Sequence, residues 1–266
     1  MTTYSLGSND AELARLEQQS ARIAEPTRIL LRAAGIEAGM RVLDLGTGIG
    51  DSARILAELV GPSGSVVGLD NDPRMVETAR SRCADVAHVR FVEGDATGAA
   101  AAGEYDAVVS RLLVLHLPDP AAALRQCLAA LRPGGLMVTI DYDTRAAGAE
   151  PAVPLVSEMF DLVVQTLRSA GADPRIGARL QGIHRDVGLT DIAALAITQY
   201  LEPDSPVGPA LLSGVVRSLA PRMVALGLVS EADLDLDTLA DRIAVDLQAS
   251  ASYFVPPTLA CSWGRR

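Results

Sequence analysis

At 266 residues and 49% apolar composition, the chain can bury one substantial core, and its length allows one or two domains. A net charge of -10 with no run of basic residues excludes nucleic acid as an expected partner, because phosphate binding needs a basic face. The N-terminus lacks a basic region followed by an apolar run, and no stretch approaches the ~18 apolar residues of a membrane span, so the expected location is cytoplasmic, with no membrane contact. Cys83, Cys127 and Cys261 are too scattered for a disulfide framework or a zinc cluster and read as small core residues.

Asn9 and Glu12 have capping-box spacing, and Leu13, Leu16, Ser20 and Ile23 recur at helical period until Pro26 interrupts. A second helix is predicted over 29–34, stopped by Gly35. Residues 42–45 read as a buried strand that runs into Gly46-Thr47-Gly48-Ile49-Gly50, followed by a helix and by a strand over 66–70 that ends in the carboxylate of Asp70. That is the first crossover unit of a nucleoside-binding sheet, in which a chain leaving the carboxyl edge of a strand must bend sharply and let a ligand approach its backbone. Two acids specify the guest. Asp51 stands where a dinucleotide fingerprint places its third glycine; it suits the helix dipole but repels a phosphate. Asp44, two residues before the first glycine, biases the pocket toward positive charge, as in a sulfonium with an amino acid tail.

Further along, Asp72 caps a helix with Pro73 at its first position and Met75, Val76, Ala79 and Cys83 on its apolar face. His88 begins a third strand that leads into Phe91-Val92-Glu93-Gly94-Asp95-Ala96. A fourth strand covers 105–110, Asp119-Pro120 repeats the capping grammar, and Leu131-Arg132-Pro133-Gly134-Gly135 turns into a fifth strand over 135–142. Strands and helices alternate throughout, which implies a parallel sheet wound on both faces. Residues 153–170 and 176–187 read as helices, 192–201 as a sixth strand, and 253–263 as the last, with Pro256-Pro257 at an edge or bulge. The intervening 202–251 holds two apparent helices and is too long for a hairpin.

From Asp44 through Asp70 and Asp95 to Gly135, the pattern resembles the class I S-adenosylmethionine-dependent methyltransferases of the small-molecule type, with four motifs in order across roughly the first 145 residues. The resemblance implies an α/β, doubly wound, mostly parallel seven-stranded sheet of Rossmann-like type. It makes 1–35 an N-terminal helical lid, 36–201 and 252–266 the cofactor-binding core, and 202–251 a helical cap over the substrate pocket. It also implies S-adenosyl-L-methionine as cofactor and S-adenosyl-L-homocysteine as product, bound through Asp44, Gly46, Thr47, Gly48, Asp70, Asn71, Asp95, Ala96, Ser110 and Arg111. In that set Asp70 takes the ribose hydroxyls, Asp95 accepts from the adenine amino group, and the Ala96 backbone NH meets a ring nitrogen.

Since the sulfonium is an activated donor, the enzyme mainly aligns a nucleophile, and a base matters only for a hydroxyl or phenol. The candidate catalytic residues are His116, Tyr142 and Arg111. His116 lies in the loop after the fourth strand, as general base or as a residue that only fixes the loop. Tyr142 is a pocket wall or donor, and Arg111 a partner for the carboxylate of the methionine tail or substrate, or else a surface ion pair. Asp141 and Asp143 do not make a metal site on their own, because Ser110 stands where metal-dependent relatives carry an acid; no metal is expected. His184 reads as a satisfied core residue, His88 has no evident chemistry, and Tyr4 and Gln19 belong to the lid.

The predicted function is methyl transfer to a small-molecule acceptor, a hydroxyl of a metabolite or natural product. Transfer to nitrogen or carbon, a cyclisation or rearrangement that keeps the cofactor pocket, a non-catalytic binding module and a dehydrogenase are the alternatives. A cap with little positive charge suits a compact neutral or cationic acceptor. The cap or the N-terminal helices offer surface for a possible homodimer.

Overall fold

A computed structural model describes residues 10–95 and 103–266; the predicted roles of Tyr4, Asn9 and Ala96 lie outside the described residues. Asp10–Ala34 form one helix, α1, where the sequence suggested two. Pro26 sits inside it. A proline in a helix interior costs ~3 kcal/mol through a lost hydrogen bond and a clash with the preceding turn. Here the penalty is offset by burial just beyond it, of Thr27, Leu30 and Leu31, each 0% exposed.

The alternation predicted from the sequence follows: β1 (Arg41–Leu45), α2 (Asp51–Val60), β2 (Ser65–Asp70), α3 (Pro73–Arg82), β3 (Val89–Glu93), β4 (Tyr105–Arg111), α4 (Pro120–Cys127) and β5 (Leu131–Asp143). Asp72 and Asp119 cap α3 and α4 as their spacing predicts, accepting from Arg74 N and Ala122 N. The remainder comprises β6 (Gly148–Glu150), α5 (Pro154–Ser169), α6 (Leu180–Asp186), β7 (Thr190–Ile197), α7 (Val207–Ala225), α8 (Glu231–Leu234), α9 (Leu239–Ala249), β8 (Tyr253–Val255) and β9 (Thr258–Arg265).

Seven strands form one sheet in the order β3-β2-β1-β4-β5-β9-β7, with β9 antiparallel to both of its neighbours. Successive residues of the central strands feed opposite faces. Val42, Val66, Val109 and Val138 join α1, α2 and α3 on one side, while Leu43, Val67, Val108 and Met137 join α4 and α6 on the other. The strand order reverses between β1 and β4, and in open α/β sheets such a reversal opens a crevice above the carboxyl ends.

Three expectations are corrected. The last strand is two strands in two sheets: Pro256-Pro257 separates β8, paired with an unpredicted β6, from β9, because two prolines in succession cannot supply ladder donors. The sixth strand starts and stops earlier than 192–201, and Leu201 instead bridges Phe254. The fifth begins at Leu131, with the register jumping from Tyr105↔Leu131 to Ala107↔Leu136 so that residues 132–135 bulge out.

Within 202–251 three helices are present among the described residues. Their core is shared with α5: Val156, Phe160 and Val163 pack with Leu212, Val216, Ile243 and Leu247, and the Phe160 and Phe254 rings lie 5.8 Å apart. Among the described residues no helix is long and apolar enough to cross a membrane.

Candidate active site

The turn between β1 and α2 is built on glycines whose missing side chains have two different reasons. Gly50, the N-cap of α2, has φ 87°, and a Cβ there would stand 3.1 Å from Ala79 Cβ and 3.2 Å from Cys83 Sγ and Phe91 Cζ. Gly48, at φ 54°, has nothing among the described residues within 4 Å of its Cβ position, so it leaves room instead of avoiding a clash.

Acids surround this turn. Asp44 is fully buried; its Oδ2 accepts from Thr47 Oγ1 at 2.7 Å, and its Oδ1 has no hydrogen-bond partner among the described residues. Burial pushes the Asp44 carboxyl up to about 6, against the pull of Thr47 and of the Arg111 charge. Asp70 accepts from Gly48 N at 2.8 Å and from Asp72 N at 3.0 Å, so one carboxylate ties the glycine turn to the start of α3. Burial raises its pKa as well. Asp51 pairs with Arg82 at 2.7 Å, and Arg82 also donates to Ile49 O, so the charge in the third-glycine position is held by an arginine from α3.

Opposite the turn, the segment after β4 is clamped from β5. Asp141, fully buried, accepts from Leu115 N at 3.0 Å and Tyr142 N at 2.9 Å, and burial lifts its carboxyl to about 7. The clamp presents His116 and Tyr142 on one wall. Burial, with the nearby Arg15 charge, lowers His116 to about 4, so its ring is neutral at pH 7. Burial lifts Tyr142 to about 12; its hydroxyl meets Gln19, which accepts from Arg15 at 2.5 Å. Arg111 donates to Ser20 Oγ at 3.1 Å and Thr27 Oγ1 at 3.4 Å, fastening α1 over the sheet, with no carboxylate at ion-pair distance among the described residues. Burial lowers its pKa.

A cavity of about 420 Å³ joins these parts. Gly46, Thr47, Gly48, Asp70, Asn71, Asp95, Arg111, His116 and Tyr142 line it, so nine of the residues singled out in the sequence share one space. Asp44 and Ser110 do not line it. Asp44 acts on the turn from beneath through Thr47, and Ser110 is buried in β4 with its hydroxyl unpartnered among the described residues. Asp141 and Asp143 do not converge, because the first is bonded to backbone and the second pairs with Arg145 at 2.7 Å. His184 is a core residue between Thr139 Oγ1, 3.0 Å from Nε2, and Ser262 Oγ, 3.1 Å from Nδ1. His88 Nε2 lies 3.1 Å from Ala57 O.

Sequence reasoning missed the Asp141 clamp and, apart from Gln19 of the lid and the cap taken as a whole, the residues of the far wall. That wall combines Arg15, Gln19 and Arg22 of α1 with Phe160 and Val163 of α5 and Leu211, Val215 and Leu219 of α7. Residues 15, 19, 22 and 26 recur at helical spacing, a signal that was legible in the sequence. The positive charge on the cavity comes from outside 202–251, from Arg15 and Arg22 of α1 and Arg111 of β4, while α7 contributes apolar side chains.

Comparison with known proteins gives a consistent picture. The profile of a family described as a methyltransferase domain matches residues 36–174, just over half of the chain. A demethylmenaquinone methyltransferase of Staphylococcus aureus is 30% identical over 129 residues, an alignment covering 48% of this chain and 51% of that enzyme. The chain thus spans about half the length of the curated relatives it matches. Among solved structures, a Haemonchus contortus phosphoethanolamine N-methyltransferase 2, holding phosphomonomethylethanolamine and S-adenosylhomocysteine, superposes with TM-score 0.57 at 22% identity, over 91% of this chain and 52% of that one. The Bacillus subtilis protein YcgJ superposes with TM-score 0.55 at 19% identity, over 89% of this chain and 96% of that one. Both share the fold.

Proposed function

The chain belongs to the methyltransferase domain family, and from that premise we propose that it transfers a methyl group from S-adenosylmethionine to a hydroxyl of a small molecule. The observation that carries the reading is the single cavity running from Asp70 and Asp95, past the space left by Gly48, to His116 and Tyr142. A nucleoside fits the first part: Asp70 ends β2 and Asn71 follows it, where ribose hydroxyls find acceptors, and Asp95 follows β3, where an adenine amino group finds one. A cationic tail suits the second part. Asp51 Oδ2, buried on the wall, has no hydrogen-bond partner among the described residues, and Asp44 lies just beneath the turn. A pyrophosphate would meet the same acids as repulsion.

The sulfonium, when bound, supplies an activated methyl group. The protein's part is alignment and exclusion of water: α1, α5 and α7 close over the acceptor, worth ~7 to 11 kcal/mol when the geometry is right. His116, neutral at pH 7, accepts the proton of the hydroxyl, and Tyr142 orients the acceptor. Calorimetry tests the cofactor assignment: S-adenosylhomocysteine binds the wild-type protein and binds Asp70→Ala at least ~10-fold more weakly. Tighter binding of NAD would refute the assignment. Transfer of labelled methyl with equimolar S-adenosylhomocysteine release distinguishes methylation from cyclisation or simple binding.

A further inference from the structure

The two ends of the cavity carry opposite charge. At the glycine turn the acids are engaged: Asp51 with Arg82, Asp70 with Gly48 N and Asp72 N, and Asp72 as the cap of α3. At the α1 end Arg22 is half-buried on the cavity wall and makes no hydrogen bond or ion pair among the described residues. Arg111 on the same cavity likewise has no carboxylate partner among the described residues, but its guanidinium is bonded to Ser20 and Thr27, whereas that of Arg22 is not engaged. Burial lowers the pKa of Arg22, against a pull from Tyr142. Next to it the wall turns apolar, with Phe160, Val163, Leu211, Val215 and Leu219 contributed by α5 and α7.

We propose that Arg22 is a specificity-determining residue that selects an acceptor with an apolar, ring-sized body and one anionic group, of the carboxylate or sulfonate class. The apolar body occupies the space under α5 and α7, and the anion meets the guanidinium, whose planar fork matches an oxyanion. A half-desolvated cation repays its burial only when such a partner arrives, so an uncharged acceptor of the same shape binds more weakly. The inference rests on the methyltransferase reading, which assigns the Asp70 end to the cofactor and leaves the α1 end to the acceptor.

The test uses two fluorescent probes with the same rings, anilinonaphthalene sulfonate and uncharged phenylnaphthylamine, titrated into the full chain with and without S-adenosylhomocysteine. The wild-type protein binds the sulfonate roughly tenfold more tightly or better. Arg22→Gln removes that preference, Arg22→Lys keeps most of it, and neither changes the affinity for S-adenosylhomocysteine more than about twofold. Val215→Trp, which fills the apolar end, weakens both probes. Equal binding of the two probes, binding of neither, an unchanged preference in Arg22→Gln, or probes insensitive to Val215→Trp overturns the proposal. Loss of S-adenosylhomocysteine affinity in Arg22→Gln, with the sulfonate unaffected, overturns it by handing Arg22 to the cofactor. A retained, Arg22-dependent preference for the sulfonate in a protein that binds no S-adenosylhomocysteine refutes the methyltransferase reading and leaves the anion site standing.

Discussion

His116 and Asp141 show how burial changes what a titratable side chain can do. With its pKa near 4, His116 is a neutral acceptor across the physiological range, so catalysis that depends on it falls off only as pH drops through about 4, well below the ordinary imidazole value of 6.5. His116→Ala should lower single-turnover methyl transfer to a hydroxyl acceptor by ~10² to 10⁴ while leaving S-adenosylhomocysteine affinity unchanged; unaltered turnover would remove it from the mechanism. Asp141 has no such chemistry. Its two backbone bonds hold Leu115 and Tyr142, and Asp141→Ala leaves the buried Leu115 N–H unmet at ~1 to 3 kcal/mol. That variant should melt earlier and lose turnover together, and rescue of one without the other would separate the clamp from the site.

The glycine turn, as an element, sets two requirements that can be measured apart. In Gly50→Ala the new methyl crowds Ala79, Cys83 and Phe91 at a left-handed φ, which alone costs ~1 to 2 kcal/mol. Gly48→Ala carries the same conformational cost with no crowding, but places a methyl at the edge of the cavity. Calorimetry and thermal denaturation together should find Gly50→Ala the less stable and Gly48→Ala the poorer binder of S-adenosylhomocysteine relative to its stability loss. The reverse ordering would contradict the geometry. The helix α1 is the other element whose behaviour only packing explains. Pro26 looked like a terminator because local sterics oppose a helix there, and it is tolerated because the turn after it is buried against the sheet.

For the molecule as a whole, buried ionisable groups make opposing contributions to stability. Asp44 and Asp141, raised from 3.8 to about 6 and about 7, hold protons in the folded state that the unfolded chain releases, so their contribution is lost as pH rises from about 4 to about 7. His116 and His184, lowered from 6.5 to about 4, bind protons more readily when unfolded, so their contribution is lost as pH falls over the same window. The melting temperature should therefore vary little between about pH 4.5 and about pH 6.5, bounds set by these shifts. Asp141→Asn, which removes one of the contributions that grow on acidification, should make the variant lose stability on acidification more steeply than wild type. Parallel profiles for the two proteins would show that the Asp141 proton does not contribute.

Much of this protein was determined by sequence alone, because the signals were local. A strand meeting a glycine turn, an acid at a strand end and an Asp-Pro helix start each depend on only a few neighbouring residues, and the β1 to β5 scaffold followed from them. The resemblance carried by those motifs supplied Gly46, Thr47, Gly48, Asp70, Asn71, Asp95 and Arg111 as cofactor-site expectations, and these line one cavity with His116 and Tyr142. Tertiary structure decided what depends on distant partners. Pro26 is helical through burial, Pro256-Pro257 divides two sheets through strand pairing, and α5 joins the core of α7 and α9 through packing. The same holds for charge. In sequence, Arg22 is one of many arginines in an acidic chain, at helical spacing from Arg15 and Gln19, and the fold adds that it faces a cavity with no carboxylate paired to it among the described residues.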